Sequence, residues 1–409
     1  MLIKILLSAY ACEPNEGSEP GVGWHWAVEL AKLGHQVHVI TRSNNERVIS
    51  AALKEIPRDN LHFIYYDVPK WLTWWKKGGR GIHLYYFLWQ IGIYSVVKKL
   101  IRKVSFDVIH HVTFVSVRQP SFLGLLGIPF IFGPVAGGER APMRLRKSFP
   151  LRGKLTDGLR DLANAWVKFS PLMRITFHTA KTIYVTSEDT RCLIPKKFHE
   201  KTFIKLAIAS DPLPLGTEKP VKYEGAPRVL YIGNLLYLKG VHLALRSFLA
   251  LLKMIPESRL TILGRGPEKL WLKSLSVELG VDYAVEWLEW LPKCEVDAVY
   301  QKHHLLLFPS LHDSGGMVVL EAMNNSLPVV CLDLGGPGLI VDGSCGCKIQ
   351  TKERTEAEVV SELGKTLIEL FRSAKNLNAL ADGALKRGST MSWSNLVMSI
   401  DFLEILQTK

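Results

Sequence analysis

The chain has 409 residues, of which 47% are hydrophobic and 22% are charged. This composition is typical of a globular protein and excludes the disordered, collagen-like and mucin-like classes. The length predicts two domains, and a formal net charge of +13 favours an anionic partner: nucleic acid, an anionic membrane or a phosphorylated substrate. Six scattered cysteines are too few for a disulfide framework. The N-terminus has the pattern of a buried strand rather than of a signal peptide. From both observations we expect a cytoplasmic chain.

Short apolar runs alternate with helix-length amphipathic segments along the whole chain. Helices are predicted between most of the strands, for example at 22–32 and 84–102. Strands joined by helix-length crossovers form parallel sheets with helices on both faces, so we expect an α/β fold of two doubly wound domains with a cleft between them. Residues 208–227 are rich in Pro, Gly and charge and predict a linker between the two. The predicted strands are 3–8, 36–41, 61–66, 107–110, 129–132, 182–185, 202–205, 228–232, 259–263, 285–288, 305–308 and 329–332.

One segment, residues 68–106, contains no Asp or Glu but eight Lys or Arg residues interleaved with Trp and Tyr. Its apolar part is too short to span a bilayer, which takes about 20 residues. Aromatic side chains beside cations suit the headgroup layer of an anionic membrane, so we expect the stretch from Lys70 to Lys103 to contact such a surface, above all through the loop 71–80. For the helix 84–97, we favour the alternative that its aromatic side chains pack on the sheet. A second acid-free run at 144–154 adds to the membrane interpretation.

The strongest chemical signal is the segment 312–323, HDSGGMVVLEAM, which follows a predicted strand and opens a helix. Gly315 and Gly316 allow close approach of a ligand, and the amides at the helix N-terminus favour an anion. Asp313 before the helix and Glu321 within it are placed to bracket one elongated ligand. The alternative is structural: Asp313 caps the helix and Glu321 is a solvated helix residue.

A second signal lies in the loop that follows the first strand of the second half, where Lys239 precedes a helix N-terminus. A lysine in this position is well placed to neutralise a diphosphate as a point charge. Because lysines in surface loops are usually only solvated, this signal is weak by itself.

Together these motifs resemble the retaining nucleotide-sugar glycosyltransferases of the GT-B architecture, family 4 type, also called glycosyl transferases group 1. The resemblance includes an acidic-x7-Glu motif (Asp313 to Glu321), a Gly…Lys-Gly loop (233–240) and a Gly-Gly loop after the next strand (333–338). It extends from about 228 to 346. It implies two facing Rossmann-like domains, with residues 1–207 binding the acceptor, 228–391 binding the nucleotide sugar, and a C-terminal helix, 392–409, crossing back to the first domain.

The resemblance also implies individual roles. Glu321 holds the ribose hydroxyls of the nucleotide, and Asp313 contacts hydroxyls of the transferred sugar. The amides of Gly315 and Gly316 face the sugar and the diphosphate, and Lys239 lies on the diphosphate.

The chain departs from the family pattern at a second cation of the donor site. Asn234 stands where the family has an arginine, so half of the cationic clamp is missing. Arg265, in the loop after the next strand, either compensates or is structural.

In the first domain, the loop around Gly21 and Gly23 joins the first strand to the first helix, and relatives place the acceptor against it. His110 and His111 end a strand at the edge where α/β sites form. Since adjacent strand residues point to opposite faces, only one should reach the cleft. The resemblance implies a catalytic histidine here that hydrogen-bonds the donor sugar. We prefer His111 for this role, with His110 as its buried partner.

A glycine-rich loop further on carries Glu139 and Arg140. These two residues either bind the acceptor or belong to a loop that only turns the chain.

The sequence therefore predicts a glycosyltransferase that acts on a glycan or lipid-linked acceptor at the inner face of the cytoplasmic membrane. The donor is a nucleoside-diphosphate sugar used as a co-substrate, and we expect no cofactor and no metal, since the chain contains no Asp-x-Asp. The alternative is a non-catalytic relative that binds a nucleotide sugar or a membrane. Nucleic acid is not an expected partner, because no nucleic-acid-binding motif is present.

Overall fold

The computed structural model describes residues 2–55, 57–211, 223–289 and 291–407. The chain divides into two compact units. Unit 1 contains Met1–Gly138, Arg160–Ile208 and Trp393–Lys409, and unit 2 contains Glu139–Leu159 and Ala209–Ser392.

Unit 1 is built on a parallel sheet of seven strands in the order β3-β2-β1-β4-β5-β6-β7. Every strand predicted from the first half of the sequence overlaps one of these, because buried parallel strands are nearly continuous apolar runs. The elements are β1 (Lys4–Ala9), α1 (Ser18–Lys32), β2 (Gln36–Thr41), α2 (Glu46–Glu55), β3 (Leu61–Tyr65), α3 (Ile82–Leu100), β4 (Val108–Thr113), β5 (Phe130–Val135), α4 (Leu151–Val167), α5 (Pro171–Thr179), β6 (Thr182–Val185), α6 (Glu188–Arg191) and β7 (Thr202–Ile204). Helix α4 belongs to both units, because its residues up to Leu159 are part of unit 2.

The core of unit 1 lies between this sheet and the helices that cover it. Helix α3 contributes Tyr85, Tyr86 and Trp89, which are buried together with Phe132 of β5. The aromatic side chains of α3 thus pack on the sheet, as expected for that helix, while the charged residues at its C-terminal end remain exposed.

Unit 2 is a second parallel sheet, of six strands, in the order β10-β9-β8-β11-β12-β13. Its first five strands have the predicted boundaries, whereas β13 was not predicted, since its sequence GCKI lacks an apolar run. The elements are β8 (Arg228–Ile232), α7 (Val241–Met254), β9 (Arg259–Leu263), α8 (Lys269–Glu278), β10 (Val285–Leu288), α9 (Lys293–Gln301), β11 (Leu305–Phe308), α10 (Met317–Asn324), β12 (Val329–Leu332), α11 (Gly335–Ile340), β13 (Gly346–Ile349), α12 (Glu356–Phe371) and α13 (Ala374–Thr390).

The chain ends in two short helices, α14 (Trp393–Met398) and α15 (Phe402–Gln407), whose contacts lie in unit 1. The Trp393 ring stacks on His25 of α1 with ring centroids 4.6 Å apart. Phe402 packs edge-on against His110 of β4.

The segment Glu139–Leu159 differs from the sequence analysis, which placed it in the first domain. Its contacts are with unit 2: the Ser148 hydroxyl donates to the Glu356 carboxylate (2.6 Å), and Phe149 packs against Tyr237. The partners of this segment in the rest of unit 2 lie far along the chain, 80 positions for Asp157 with Tyr237 and 208 for Ser148 with Glu356, so a local sequence pattern does not reveal them. Most of the predicted linker, residues 212–222, lies outside the described residues.

In unit 2, β8 and β11 are neighbours although they are far apart in sequence. The strand order reverses between them, and the loops after both strands leave from the same carboxyl edge. In open α/β sheets this is where ligands bind.

Candidate active site

The loops after β8 and β11 are joined backbone to backbone. The Leu311 N–H donates to the Leu238 carbonyl at 2.9 Å. Gly240 has φ +71°, and a Cβ there would lie 1.9 Å from the Pro309 carbonyl oxygen. Only glycine fits this approach, which brings the two predicted ligand-binding loops into contact.

This contact brings Lys239 and Asp313 together. The Lys239 ammonium lies 2.7 Å from Oδ2 of Asp313 and also donates to the His312 carbonyl at 3.1 Å. Both side chains are largely buried. A cation predicted for a diphosphate and a carboxylate predicted for a sugar therefore form one ion pair at the carboxyl edge of the sheet.

The second oxygen of Asp313 is held by the turn that follows. Oδ1 accepts hydrogen bonds from the N–H groups of Gly315 (3.1 Å) and Gly316 (2.8 Å). Both amides were predicted to face a ligand, but they donate to Asp313 instead. Asp313 thus caps the turn before α10, which was the structural alternative for this residue. Gly316, with φ +83°, then starts α10, and the next amides lie at the open N-terminus of that helix.

A third loop, after β12, closes the cluster. The Gly336 N–H donates to the Asp313 carbonyl at 2.9 Å. A Cβ on Gly335 would lie 2.0 Å from that oxygen and 3.6 Å from Cγ of Glu139. Glu139 is thus buried beside the Asp313 loop in unit 2, while its neighbour Arg140 is exposed. Acceptor binding by these two residues stays a prediction.

Glu321, on α10, is oriented by a residue that the sequence analysis missed. The Tyr300 hydroxyl, on α9, donates to Oε2 of Glu321 at 3.2 Å. Burial, and secondly the charge of Glu321, raise the pKa of Tyr300 well above its usual value, so the phenol remains a neutral donor. Tyr300 lies 21 positions before Glu321, and no sequence motif links the two.

A second missed tyrosine supports the lysine loop. Tyr231, buried in β8, donates its hydroxyl to the Lys239 carbonyl at 3.1 Å. Burial is the main reason why the pKa of Tyr231 is raised, and the nearby Asp313 carboxylate adds to it.

Asn234 and Arg265 lie on adjoining loops. The Leu235 N–H, next to Asn234, donates to the Arg265 carbonyl at 2.9 Å. Both side chains are exposed, so the arginine stands beside the position at which the family clamp is missing.

In unit 1, the two histidines point to opposite faces of β4, as predicted from strand geometry. His110 Nε2 lies 2.7 Å from the Gly133 carbonyl oxygen, and His111 Nε2 lies 3.4 Å from the Tyr86 hydroxyl. Both rings are fully buried, so the expected exposure of His111 is not found. Burial lowers the pKa of His110 to about 3 and that of His111 to about 4, which keeps both imidazoles neutral. The catalytic role of His111 stays a prediction.

Gly21 and Gly23 are also buried. A Cβ on Gly21 would lie 2.2 Å from the Glu16 carbonyl oxygen, and one on Gly23 would lie 2.1 Å from that of Ala11. The space that these glycines leave is filled by the chain's own loop. Their role in this structure is close helix packing, whereas an acceptor-binding role was predicted.

Metal-ligating side chains do not cluster near these loops. Across residues 2–55, 57–211, 223–289 and 291–407, the structure contains no group of three His, Cys, Asp or Glu side chains arranged to hold a metal ion.

The second half of the chain is similar to a known protein family. Residues 217–377 match the family model "Glycosyl transferases group 1". A D-inositol 3-phosphate glycosyltransferase of Corynebacterium urealyticum is 28% identical over 173 residues, which cover 40% of this chain and 39% of the relative. The chain aligns with less than half the length of the curated relatives that it matches.

Solved structures show the fold over nearly the whole chain. Sucrose-phosphate synthase from Thermosynechococcus elongatus has a TM-score of 0.63 at 14% identity, with 97% of each chain covered. Anabaena Alr3699/HepE in complex with UDP-glucose has a TM-score of 0.55 at 13% identity, with 98% of each chain covered. The fold is therefore GT-B, with two Rossmann-like α/β units, as predicted. The resemblance seen in the sequence is confirmed over residues 217–377, which are similar to glycosyl transferases group 1.

Proposed function

We propose that this protein transfers a sugar from a nucleoside-diphosphate sugar to a glycan or lipid-linked acceptor. The observation that carries the proposal is the ion pair of Lys239 and Asp313 at the carboxyl edge of unit 2, at its topological switch point, with Glu321 on the helix that follows the Asp313 loop. The family match of residues 217–377 supports it, as does the binding of UDP-glucose by a protein of the same fold.

The donor lies across these loops in the proposed complex. Glu321, held by Tyr300, accepts hydrogen bonds from the ribose hydroxyls. The diphosphate faces Lys239 and the N-terminal amides of α10. Among the residues that the structure describes, the Lys239 ammonium alone donates to Oδ2 of Asp313. This oxygen keeps a lone pair for a hydroxyl of the sugar.

The chemistry follows from where charge develops. As the bond between the sugar and the diphosphate breaks, negative charge grows on the leaving phosphate and positive charge grows on the sugar ring. The Lys239 ammonium and the helix amides stabilise the leaving group, and loss of one such contact typically costs about 10²–10³ in rate. In the retaining course that we propose, the acceptor hydroxyl attacks from the side on which the diphosphate leaves and passes its proton to a phosphate oxygen. No nucleophile from the protein is needed, and Asp313 is not assigned that role.

We further propose that the chain works on the surface of an anionic membrane on the cytoplasmic side. Trp71 and Trp74, in the basic segment from Lys70 to Lys103, are 74% and 81% exposed. Their neighbours Lys77 and Arg80 are exposed too. None of the helices in the described part of the chain is long and apolar enough to cross a membrane.

A non-catalytic relative that binds a nucleotide sugar remains the competing function, because Asn234 replaces a cation of the donor site. The two functions differ in turnover: only the transferase releases free nucleoside diphosphate when donor and acceptor are present.

The test starts with nucleotide binding by the full chain. Thermal unfolding is followed with UDP, GDP, ADP and CMP, and with sugar conjugates of whichever nucleotide binds. A ligand at 100 times its Kd stabilises by about 2.7 kcal/mol. We expect the shift to be lost in Glu321→Ala and kept in Glu278→Ala, which removes an exposed glutamate at the end of α8. A cooperative transition that no nucleotide shifts would overturn the proposed function.

A further inference from the structure

Helix α4 (Leu151–Val167) turns its large apolar side chains toward solvent. Five of them are 64–80% exposed, and Phe169, just past the helix, continues the row at 64%. We call this surface the apolar stripe of α4. It comprises Leu151, Leu155, Leu159, Leu162, Trp166 and Phe169.

The stripe is continuous because its members recur every three or four residues. At 100° per residue they fall within an arc of about 80°, and they extend for about 27 Å along the helix direction. The buried side of α4 is opposite and holds Gly153, Asp157, Asn164 and Val167. This reverses the arrangement of an ordinary surface helix, whose apolar face points to the core.

Specific hydrogen bonds hold the helix in this orientation. Asp157, fully on the inner side, accepts from the Tyr237 hydroxyl at 3.1 Å, and Asn164 accepts from the Arg118 guanidinium at 3.2 Å. Rolling α4 to bury its leucines would break these bonds and strand polar groups in the interior. The outward direction of the stripe is therefore built into the fold.

The charges around the stripe are of one sign. Between Arg140 and Ser187 the sequence contains ten Lys or Arg residues and two acids, Asp157 and Asp161. Asp157 is buried and Asp161 is half-buried. The exposed cations are Arg140, Arg144, Lys147, Arg152, Lys154, Lys168, Arg174 and, in part, Arg160.

We infer that α4 is the membrane-inserting element of this protein. Its stripe lies in the acyl boundary of an anionic bilayer, parallel to the surface, with the flanking cations in the headgroup layer. A second copy of the chain fits less well, because a two-fold contact through the stripe would set these cations against one another.

Contacts within unit 1 connect the start of α3, which follows the exposed tryptophan loop, to α4. His83, at the start of α3, bonds Gln119 with a nitrogen-to-nitrogen distance of 3.2 Å. Arg118, the preceding residue, bonds Asn164 of α4. The loop that follows β4 thus links the N-terminal end of α3, where the segment with Trp71 and Trp74 ends, to α4.

This inference deepens the proposed membrane partner and does not depend on donor binding. The test is flotation of the full chain with vesicles of phosphatidylglycerol and phosphatidylcholine, and with vesicles of phosphatidylcholine alone. Losing one inserted leucine costs about tenfold in partitioning, so the double variant Leu155→Glu/Leu162→Glu is expected to bind at least about 100-fold more weakly. The matched control is Leu270→Glu on α8, where the leucine is 80% exposed outside the stripe, and it should bind within about twofold of the parent.

Each result decides the matter. Weak binding of the parent to anionic vesicles, or equal binding of the double variant and the parent, overturns the inference. A parent that is a dimer in sedimentation, and a double variant that is monomeric yet still floats, would make the stripe an interface between copies instead. Nucleotide-induced thermal shifts are measured on the same variants. A double variant that keeps the nucleotide shifts but no longer floats supports the insertion. A parent that floats but shows no nucleotide shift counts against the donor site alone.

Discussion

Removing one hydroxyl, that of Tyr300, tests whether Glu321 binds the ribose of a nucleotide. Tyr300→Phe keeps the buried ring and deletes the donor that lies 3.2 Å from Oε2 of Glu321. A hydrogen bond to a charged group is worth about 1.5–3 kcal/mol, and 3.2 Å is longer than the usual distance of an O–H···O bond. We therefore take the lower end, about 1.5 kcal/mol, and expect the Kd for the nucleoside diphosphate to rise about tenfold.

The assay is titration calorimetry with the nucleotide that binds and with its 2′,3′-dideoxy analogue. If Tyr300 acts only by orienting Glu321 toward the ribose, the tenfold effect should vanish with the analogue, which has no hydroxyls to hold. Tyr283→Phe changes an exposed tyrosine of the same unit and should leave both Kd values unchanged. The reasoning is refuted if Tyr300→Phe weakens the analogue as much as the natural nucleotide, or if it weakens neither while Glu321→Ala abolishes binding.

Three further outcomes follow from the structure. Gly240→Ala places a Cβ 1.9 Å from a carbonyl oxygen of the neighbouring loop at φ +71°, and we expect about 2–3 kcal/mol less stability in denaturant unfolding, with weaker nucleotide binding. Burial depresses the pKa of His110 to about 3 and that of His111 to about 4, so on acidification the unfolded chain binds protons before the folded chain does. The free energy of unfolding therefore falls as the pH drops below about 6.5, by about 2 kcal/mol per histidine at pH 5. The Tm measured from pH 7 to 5 checks this, and a flat profile would contradict it. Arg265→Ala should raise the Kd for a nucleoside diphosphate about tenfold at low salt, and adding Asn234→Arg should restore binding; unchanged affinity in Arg265→Ala would mean that this arginine is structural.

The sequence predicts most of the fold because buried parallel strands are written as apolar runs. Five of the six strands of unit 2 have the predicted ends. The pairing of Lys239 with Asp313 was also within reach, since loops after neighbouring strands share one edge of the sheet. What the sequence does not specify is which partner each side chain finds: both oxygens of Asp313 are engaged by its own chain, and Tyr300 reaches Glu321 from another helix.

Long-range contacts also decide what the sequence analysis got wrong. Glu139 follows a strand of unit 1, yet it is buried beside the Gly335 turn of unit 2. The leucines of α4 have ordinary amphipathic spacing, and only the partner of Asp157 reveals that they face outward. Hydrophobic periodicity gives the angular width of a face, whereas the side that faces the core is determined by contacts elsewhere in the chain.

The charge balance of the donor loops explains why an extra cation matters. In the structure, Lys239 is already neutralised by Asp313 at 2.7 Å, so an arriving diphosphate meets a pair with no net charge. It must either draw the ammonium away from the carboxylate or find positive charge elsewhere. The open N-terminus of α10 supplies a partial charge, worth about 0.3–1 kcal/mol near the surface. A full charge has to come from a residue beside the loop, and Arg265, exposed and joined through its carbonyl to the residue after Asn234, is in that position. We therefore infer that the second cation of the donor site is not lost in this chain: Arg265 supplies it from the adjoining loop in place of the arginine that the family has at position 234.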